Sequence, residues 1–150
     1  MPQSFTQLHY HLVFSTQHRE QWITTEIQSR LWEYLGGMVR EREGIAILVG
    51  GMPDHIHMLV TLHQQVAIAD FMRDIKAGSS GWIHETFPNT AGFRWQTGYG
   101  AFTVSHSARD DVRTYIANQE SHHRRLSFQE EFRLMLKLHD LTYDEKYLWA

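Results

Sequence analysis

Two histidines stand two residues apart in PDHIHMLV, residues 53–60. Side chains on an extended strand repeat every second residue, so His55 and His57 project from one face while Ile56 and Met58 take the other. An apolar core gains little from two imidazoles on one face, whereas a divalent cation can use both. The competing reading is a pair of half-buried histidines hydrogen-bonded to their neighbours. A second group of reactive side chains lies in VRTYIANQESHH, residues 112–123. On a helix, Tyr115 and Gln119 are one turn apart and share a face. A phenol suited to nucleophilic attack therefore stands beside an amide oxygen suited to a metal site. His122, His123, Arg124 and Arg125 follow, as candidates for phosphate contact or for activation of the phenol, or as a basic helix end favoured by the dipole.

Positioning these groups takes a strand for the histidines and a helix for the tyrosine. LHYHLVFST (8–16) alternates with β-branched and aromatic residues and predicts a strand. Thr24 or Thr25 offers an N-cap to EIQSRLWEYLGGMVREREG (26–44), with Ile27, Leu31, Trp32, Leu35, Met38 and Val39 at helical spacing and Gly44 as the stop. IAILVGGM (45–52) and HIHMLVTLH (55–63) read as strands joined through Pro53-Asp54, hence an antiparallel hairpin. VAIADFMRDIKAGSSGWIHETFP (66–88) predicts a second helix and GYGAFTVS (98–105) a fourth strand. Ser107 is the expected N-cap of a helix over 108–125, and Ser127 with Glu130 forms the capping box of a last helix over 128–140. This order predicts an α+β fold with a ferredoxin-like βαββαβ core. In it one antiparallel sheet carries helices on one face, the first and third strands are central, and C-terminal helices trail. Without repeats or linkers, residues 1–150 read as a single domain.

The composition narrows the chemistry. The chain has no cysteine, which excludes disulfides and thiolate zinc sites and suits a reducing compartment. The start, MPQSFTQLHYH, lacks the basic patch and apolar run of a signal peptide, and no apolar run nears the roughly 20 residues that span a bilayer. A cytoplasmic protein with no membrane partner is expected. The net charge is −3 with histidine neutral, so the total does not announce a nucleic-acid binder, and residues 1–50 carry four arginines against five glutamates. Eleven histidines are the outlier.

His55-Ile56-His57 followed by Tyr115-Ile116-Ala117-Asn118-Gln119 resembles the HUH tyrosine transposases, the small single-strand insertion-sequence transposases and their REP-associated relatives. HLVFST (11–16), FRWQTGYGAFTVS (93–105) and SFQEEF…YDEKYLW (127–149) match as well, in the family's order and over nearly the whole chain. The resemblance implies a metal-dependent transposase, usually a homodimer, that recognises a DNA hairpin and cuts and rejoins single-stranded DNA. It implies His55, His57 and Gln119 as ligands of a divalent cation and Tyr115 as the nucleophile, giving a 5′-phosphotyrosine intermediate and a free 3′-hydroxyl. It favours Mg2+ or Mn2+; the ligand types alone leave magnesium, manganese and zinc open.

Lys76 and Ser79 near the end of the second helix are candidate phosphate contacts or parts of a solvated face. Trp95 and Tyr99 are candidates for stacking on unpaired bases or for packing, and His122 and Arg124 complete the expected DNA-binding set. His9 and His11 share the parity of a sheet face and are expected to hydrogen-bond there. Relatives commonly carry a lysine and a tyrosine after the first strand, where this chain reads Thr16-Gln17-His18-Arg19; the expected grip on DNA changes and the catalytic group does not. Three other readings compete. They are a domesticated hairpin-processing nuclease, a non-catalytic ferredoxin-like nucleic-acid-binding module, and a metal phosphodiesterase that uses water.

Overall fold

The alternation in the first strand decides how the sheet is used. In the computed structural model, which describes residues 3–149, β1 (His9–Ser15) sends Leu12 and Phe14 to one side and His11, Val13 and Ser15 to the other. β2 (Ile45–Met52) and β3 (His55–Thr61) form the expected hairpin, and β4 (Gly100–Val104) pairs with β1. The order is β2-β3-β1-β4 with every neighbour antiparallel, so β3 and β1 are the central pair. The histidine strand thus has both edges hydrogen-bonded, which fixes its register against a one-residue slip that would turn its imidazoles to the wrong face.

α1 (Thr25–Glu41) and α2 (Ile68–Thr86) lie together on the Leu12–Phe14 side. Leu31, Leu35 and Val39 of α1 and Phe71, Met72 and Ile75 of α2 close over Ile56, Met58 and Val60 of β3. Each large apolar side chain fully buried there contributes about 1.5–3 kcal/mol relative to exposure.

The trailing helices cover the opposite face. They are α3 (Arg109–Ala117), α4 (Gln119–His122), α5 (Phe128–Leu138) and α6 (Glu145–Leu148). Phe128, Phe132, Met135 and Leu136 of α5 pack on Val13 and Phe102, with Leu148 and Trp149 against them. The sheet is therefore enclosed on both sides, and the histidine face is an interior one.

Two local expectations change. Ser107 lies in a short 3₁₀ turn (His106–Ala108) and does not cap α3, which starts at Arg109 after Ala108 with no side-chain cap. The helix expected over 108–125 is interrupted at Asn118 (φ −98, ψ 22), a residue type that competes poorly for helix interiors, and α4 continues from Gln119. The capping box at Ser127 and Glu130 forms as read, and α5 stops at Leu138 rather than Asp140.

Candidate active site

His55 and His57 are fully buried on the enclosed face of β3. Two glycines on β2 let the neighbouring chain approach. Gly51, at φ +151, takes a backbone conformation closed to other residues, and a Cβ there would lie 2.2 Å from the His55 carbonyl oxygen. Gly50 pairs with His57 across the hairpin, and a Cβ on it would meet Ile116 Cγ2 at 3.0 Å. α3 thus rests directly on β2 backbone, and that contact brings Tyr115 to the histidines.

The side chains converge on a residue that the sequence did not single out, Glu131 of α5, which is 2% exposed. Its Oε1 lies 2.9 Å from His57 Nε2, 3.2 Å from His123 Nε2 and 3.5 Å from His55 Nε2. Its Oε2 accepts hydrogen bonds from the Tyr115 hydroxyl and from Gln119 Nε2, the latter at 3.0 Å. With its amide so held, Gln119 turns Oε1 to His55 Nε2 and His123 Nε2, each at 3.0 Å. Tyr115, Gln119, His55 and His57 are therefore brought together, and His123 and Glu131 join them.

The outward side of each imidazole is also engaged. His55 Nδ1–H donates to Asp54 Oδ1 (2.7 Å) and His123 Nδ1–H to the Leu126 carbonyl (2.7 Å), while His57 Nδ1 shares a hydrogen bond with His11 Nε2 (2.8 Å). A carboxylate and a carbonyl only accept, so Nδ1 carries the hydrogen in His55 and His123. A neutral ring then points its Nε2 lone pair inward, where the oxygens of Gln119 and Glu131 also point lone pairs. Only extra protons on the rings, or a cation among them, reconcile that arrangement. The donor atoms of His55, His57, His123 and Glu131 all lie within 4.8 Å of one another, so the cluster could hold a metal ion. Inward Nε2 and outward Nδ1–H is the pattern by which metal-ligating histidines are oriented.

Burial lowers His57 below its ordinary range despite the adjacent Glu131, and burial with the His57 charge lowers His11 to about 3, so both rings favour the neutral form. Burial acts against the Glu131 charge, but hydrogen bonds from His123, His57 and Tyr115 hold the carboxyl far below the usual carboxylate range. His123 moves the other way: burial opposes its charge, and Glu131 and the Leu126 carbonyl outweigh it. Burial, and then the hydrogen bond and charge of Glu131, push the Tyr115 phenol well above its ordinary range.

The other expected residues divide. Ser79 is fully buried; its hydroxyl donates to the Ile75 carbonyl (2.7 Å) and accepts from Trp95 Nε1 (3.0 Å), which removes it from phosphate contact. Trp95 is half-buried and packs edge-on against Phe14 and Phe93, each at 4.8 Å between centroids, so its ring is held against the core rather than free to turn toward a base. Lys76 donates to the carbonyls of Gln96 (2.5 Å) and Gly98 (2.6 Å), and burial lowers its ammonium to about 8. These three anchor the 95–98 segment to α2. Tyr99 is exposed. His122 lies beside Tyr115 at 4.5 Å between centroids, and Arg124 is exposed near Glu120. His9 bonds to Thr61 and His106 on the sheet face, as expected.

Glu131 left one signal in the sequence: it is in phase with Phe128, Phe132 and Met135, a charge on an otherwise apolar stripe.

Residues 4–119 match the family of IS200-like transposases. The chain is 30% identical over 118 residues to the ISDra2 transposase TnpA of Deinococcus radiodurans, covering 75% of this chain and 84% of that protein. It is similar to a crystal structure described as a transposase of Deinococcus radiodurans R1, with 28% identity, a TM-score of 0.65, and coverage of 79% of this chain and 98% of that one. A REP-associated tyrosine transposase bound to a REP hairpin shares the fold, with 17% identity, a TM-score of 0.54, and coverage of 79% and 68%.

Proposed function

Because the chain belongs to the IS200-like transposases, members of the HUH tyrosine transposase family, we propose that this transposase cuts and rejoins single-stranded DNA through Tyr115. The observation that carries this is the meeting of the Tyr115 hydroxyl and the His57 ring on the two oxygens of one carboxylate, which sets the phenol beside the imidazole pair.

In the proposed step the Tyr115 oxygen attacks phosphorus. The phenolic O–P bond forms, the P–O3′ bond breaks, and the DNA 5′ end is held as a phosphotyrosine. The phenol proton leaves along its hydrogen bond to Glu131 Oε2, and the carboxylate, held ionised by its neighbours, passes it on through water rather than keeping it. The departing 3′-oxygen takes up that same proton through water, so no hydroxide is left over. Reversal by an incoming 3′-hydroxyl returns the proton to the phenol, and one phosphodiester replaces another without net hydrolysis. His55, His57 and Gln119 would hold a divalent cation, Mg2+ or Mn2+. When bound, it supplies Lewis-acid stabilisation of charge gathering on the phosphate oxygens. Gln119 also keeps the Glu131 carboxylate turned toward the phenol.

The substrate we propose is a hairpin-forming single strand, supported by the family and by the hairpin on the REP-associated neighbour. Tyr99, His122 and Arg124 are the expected DNA contacts left at or near the surface. We read residues 1–150 as one HUH domain acting as a homodimer in the cytoplasm. Among the described residues no helix is long and apolar enough to cross a membrane.

The test is a labelled hairpin oligonucleotide incubated with the protein in manganese or EDTA and run on a denaturing protein gel. A cation-dependent shifted band, lost in Tyr115→Phe and His57→Ala, is expected. Cleavage without a covalent band would replace this reading with a water-using phosphodiesterase. Binding without cleavage across a panel of flanking hairpins would replace it with a binding module.

A further inference from the structure

We propose that the cation site of this chain extends beyond the histidine pair and Gln119 to His123 and Glu131, so that Glu131 joins cation and nucleophile through its two oxygens. The inference rests on the transposase reading for the identity of the nucleophile and on the geometry for the ligands. The match to the IS200-like family runs only as far as residue 119, so His123 and Glu131 lie beyond it, although Glu131 falls in the SFQEEF stretch of the wider resemblance.

His123 is built as His55 is. Its outward nitrogen is spent on a fixed acceptor, the Leu126 carbonyl, and its inward Nε2 stands 3.0 Å from Gln119 Oε1 and 3.2 Å from Glu131 Oε1. Glu131 Oε1 lies 2.9–3.5 Å from all three Nε2 atoms, the separation of neighbouring ligands around one ion with bonds of about 2.1 Å. A buried carboxylate needs a positive partner, yet among the described residues no lysine or arginine pairs with Glu131; three histidines face its Oε1, and the neutral Tyr115 and Gln119 donate to its Oε2. α5 delivers it deliberately. The capping box at Ser127 and Glu130 fixes the helix start, and Phe128 and Phe132, packed on the sheet, turn the intervening residue inward.

The enlarged set also selects the ion. Three imidazoles, one carboxylate and one amide oxygen suit a first-row transition cation better than magnesium, zinc most of all and the harder manganese next, since magnesium favours oxygen ligands. Glu131 Oε2, bonded to the Tyr115 hydroxyl, ties the phenol to that ion through a single side chain.

The experiment measures metal binding by the full chain without DNA. Mn2+ and Mg2+ affinities are read by titration calorimetry, and Co2+ is used as a spectroscopic probe whose visible bands report the ligand set. Glu131→Gln and His123→Ala are expected to weaken Mn2+ binding at least about tenfold and to alter the Co2+ bands, with Mn2+ preferred over Mg2+ in the wild type. Far-UV dichroism and a melt without metal check each fold, and the two variants sit on different elements, so one carries the test if the other unfolds. Wild-type affinity and Co2+ bands in both, with loss in His57→Ala and Gln119→Ala, would overturn the proposal and leave α5 a packing element. That outcome is compatible with a covalent DNA adduct. An absent adduct with Glu131-dependent metal binding would instead sink the transposition chemistry and keep the metal site.

Discussion

Tyr115 donates its hydroxyl proton to a carboxylate that neighbouring histidines already hold ionised, so without added positive charge the phenol resists ionisation. Its substitution separates chemistry from folding: Tyr115→Phe should abolish the covalent band while lowering stability by only about 1–3 kcal/mol, for one hydrogen bond to a charged group. Paired urea denaturation and adduct gels read both quantities. Lys76 makes a different residue-scale prediction. Its folded-state value of about 8 lies below the ordinary 10.5 because burial disfavours the ammonium. Below about pH 8 both folded and unfolded chains carry the charge, and the folded one bears the desolvation. Between about 8 and 10.5 the unfolded chain binds more protons, so the Lys76 contribution to stability rises with pH across that window. The urea midpoint of the wild type relative to Lys76→Met should therefore climb between about pH 7 and pH 10. A constant difference would show that burial does not tune this amine.

At the scale of elements, α5 and the β2–α3 contact set the geometry of the site. Ser127→Ala removes the side-chain acceptor of the Glu130 amide and should cost about 1 kcal/mol, measured as a lower melting temperature. Gly50→Val forces a side chain against Ile116, where even a Cβ is at 3.0 Å, and should cost about 1–3 kcal/mol. It should also cut adduct yield by shifting Tyr115, whereas an unchanged yield would show that α3 relaxes freely. The same elements show what the sequence could disclose. β2 was legible to the residue because β-branched and apolar residues end cleanly at a turn, and period two put His55 and His57 on one face. The burial of Ser79 and its bond to the half-buried Trp95 were not legible, since the irregular segment after α2 has no periodicity and its packing is decided by docking onto that helix. Glu130 and Glu131 share a first turn that favours acids; the capping box claims Glu130 and the phase of the apolar stripe sets Glu131 inward, but only the seat of α5 on Val13 and Phe102 shows that Glu131 meets the histidines.

For the molecule as a whole, both faces of one sheet are used for different ends. Among the described residues the α1–α2 side is an apolar core whose ion pair between the helices, Arg42 with Asp74, stays at the surface, and the opposite side combines packing with a polar centre. His57 and Glu131 meet across 74 positions of chain, and His55 and Gln119 across 64. Bringing such distant positions together costs loop-closure entropy, and that cost is lowered by anything that pins them in the unfolded chain as well as the folded one. A protein without cysteine has no covalent means of doing so. The ion proposed for His57 and Glu131 would act in its place as a removable cross-link of the folded form. A permanent link closing a loop of that length is worth on the order of 4 kcal/mol in the chain-entropy picture; an ion binds chiefly the folded form and adds about 2.7 kcal/mol at a hundredfold excess over its dissociation constant. The melting temperature should rise with manganese and fall back with EDTA, and reducing agents should leave it unmoved. The clasp that readies the tyrosine would then also be a staple of the fold, opened by chelation and indifferent to thiols.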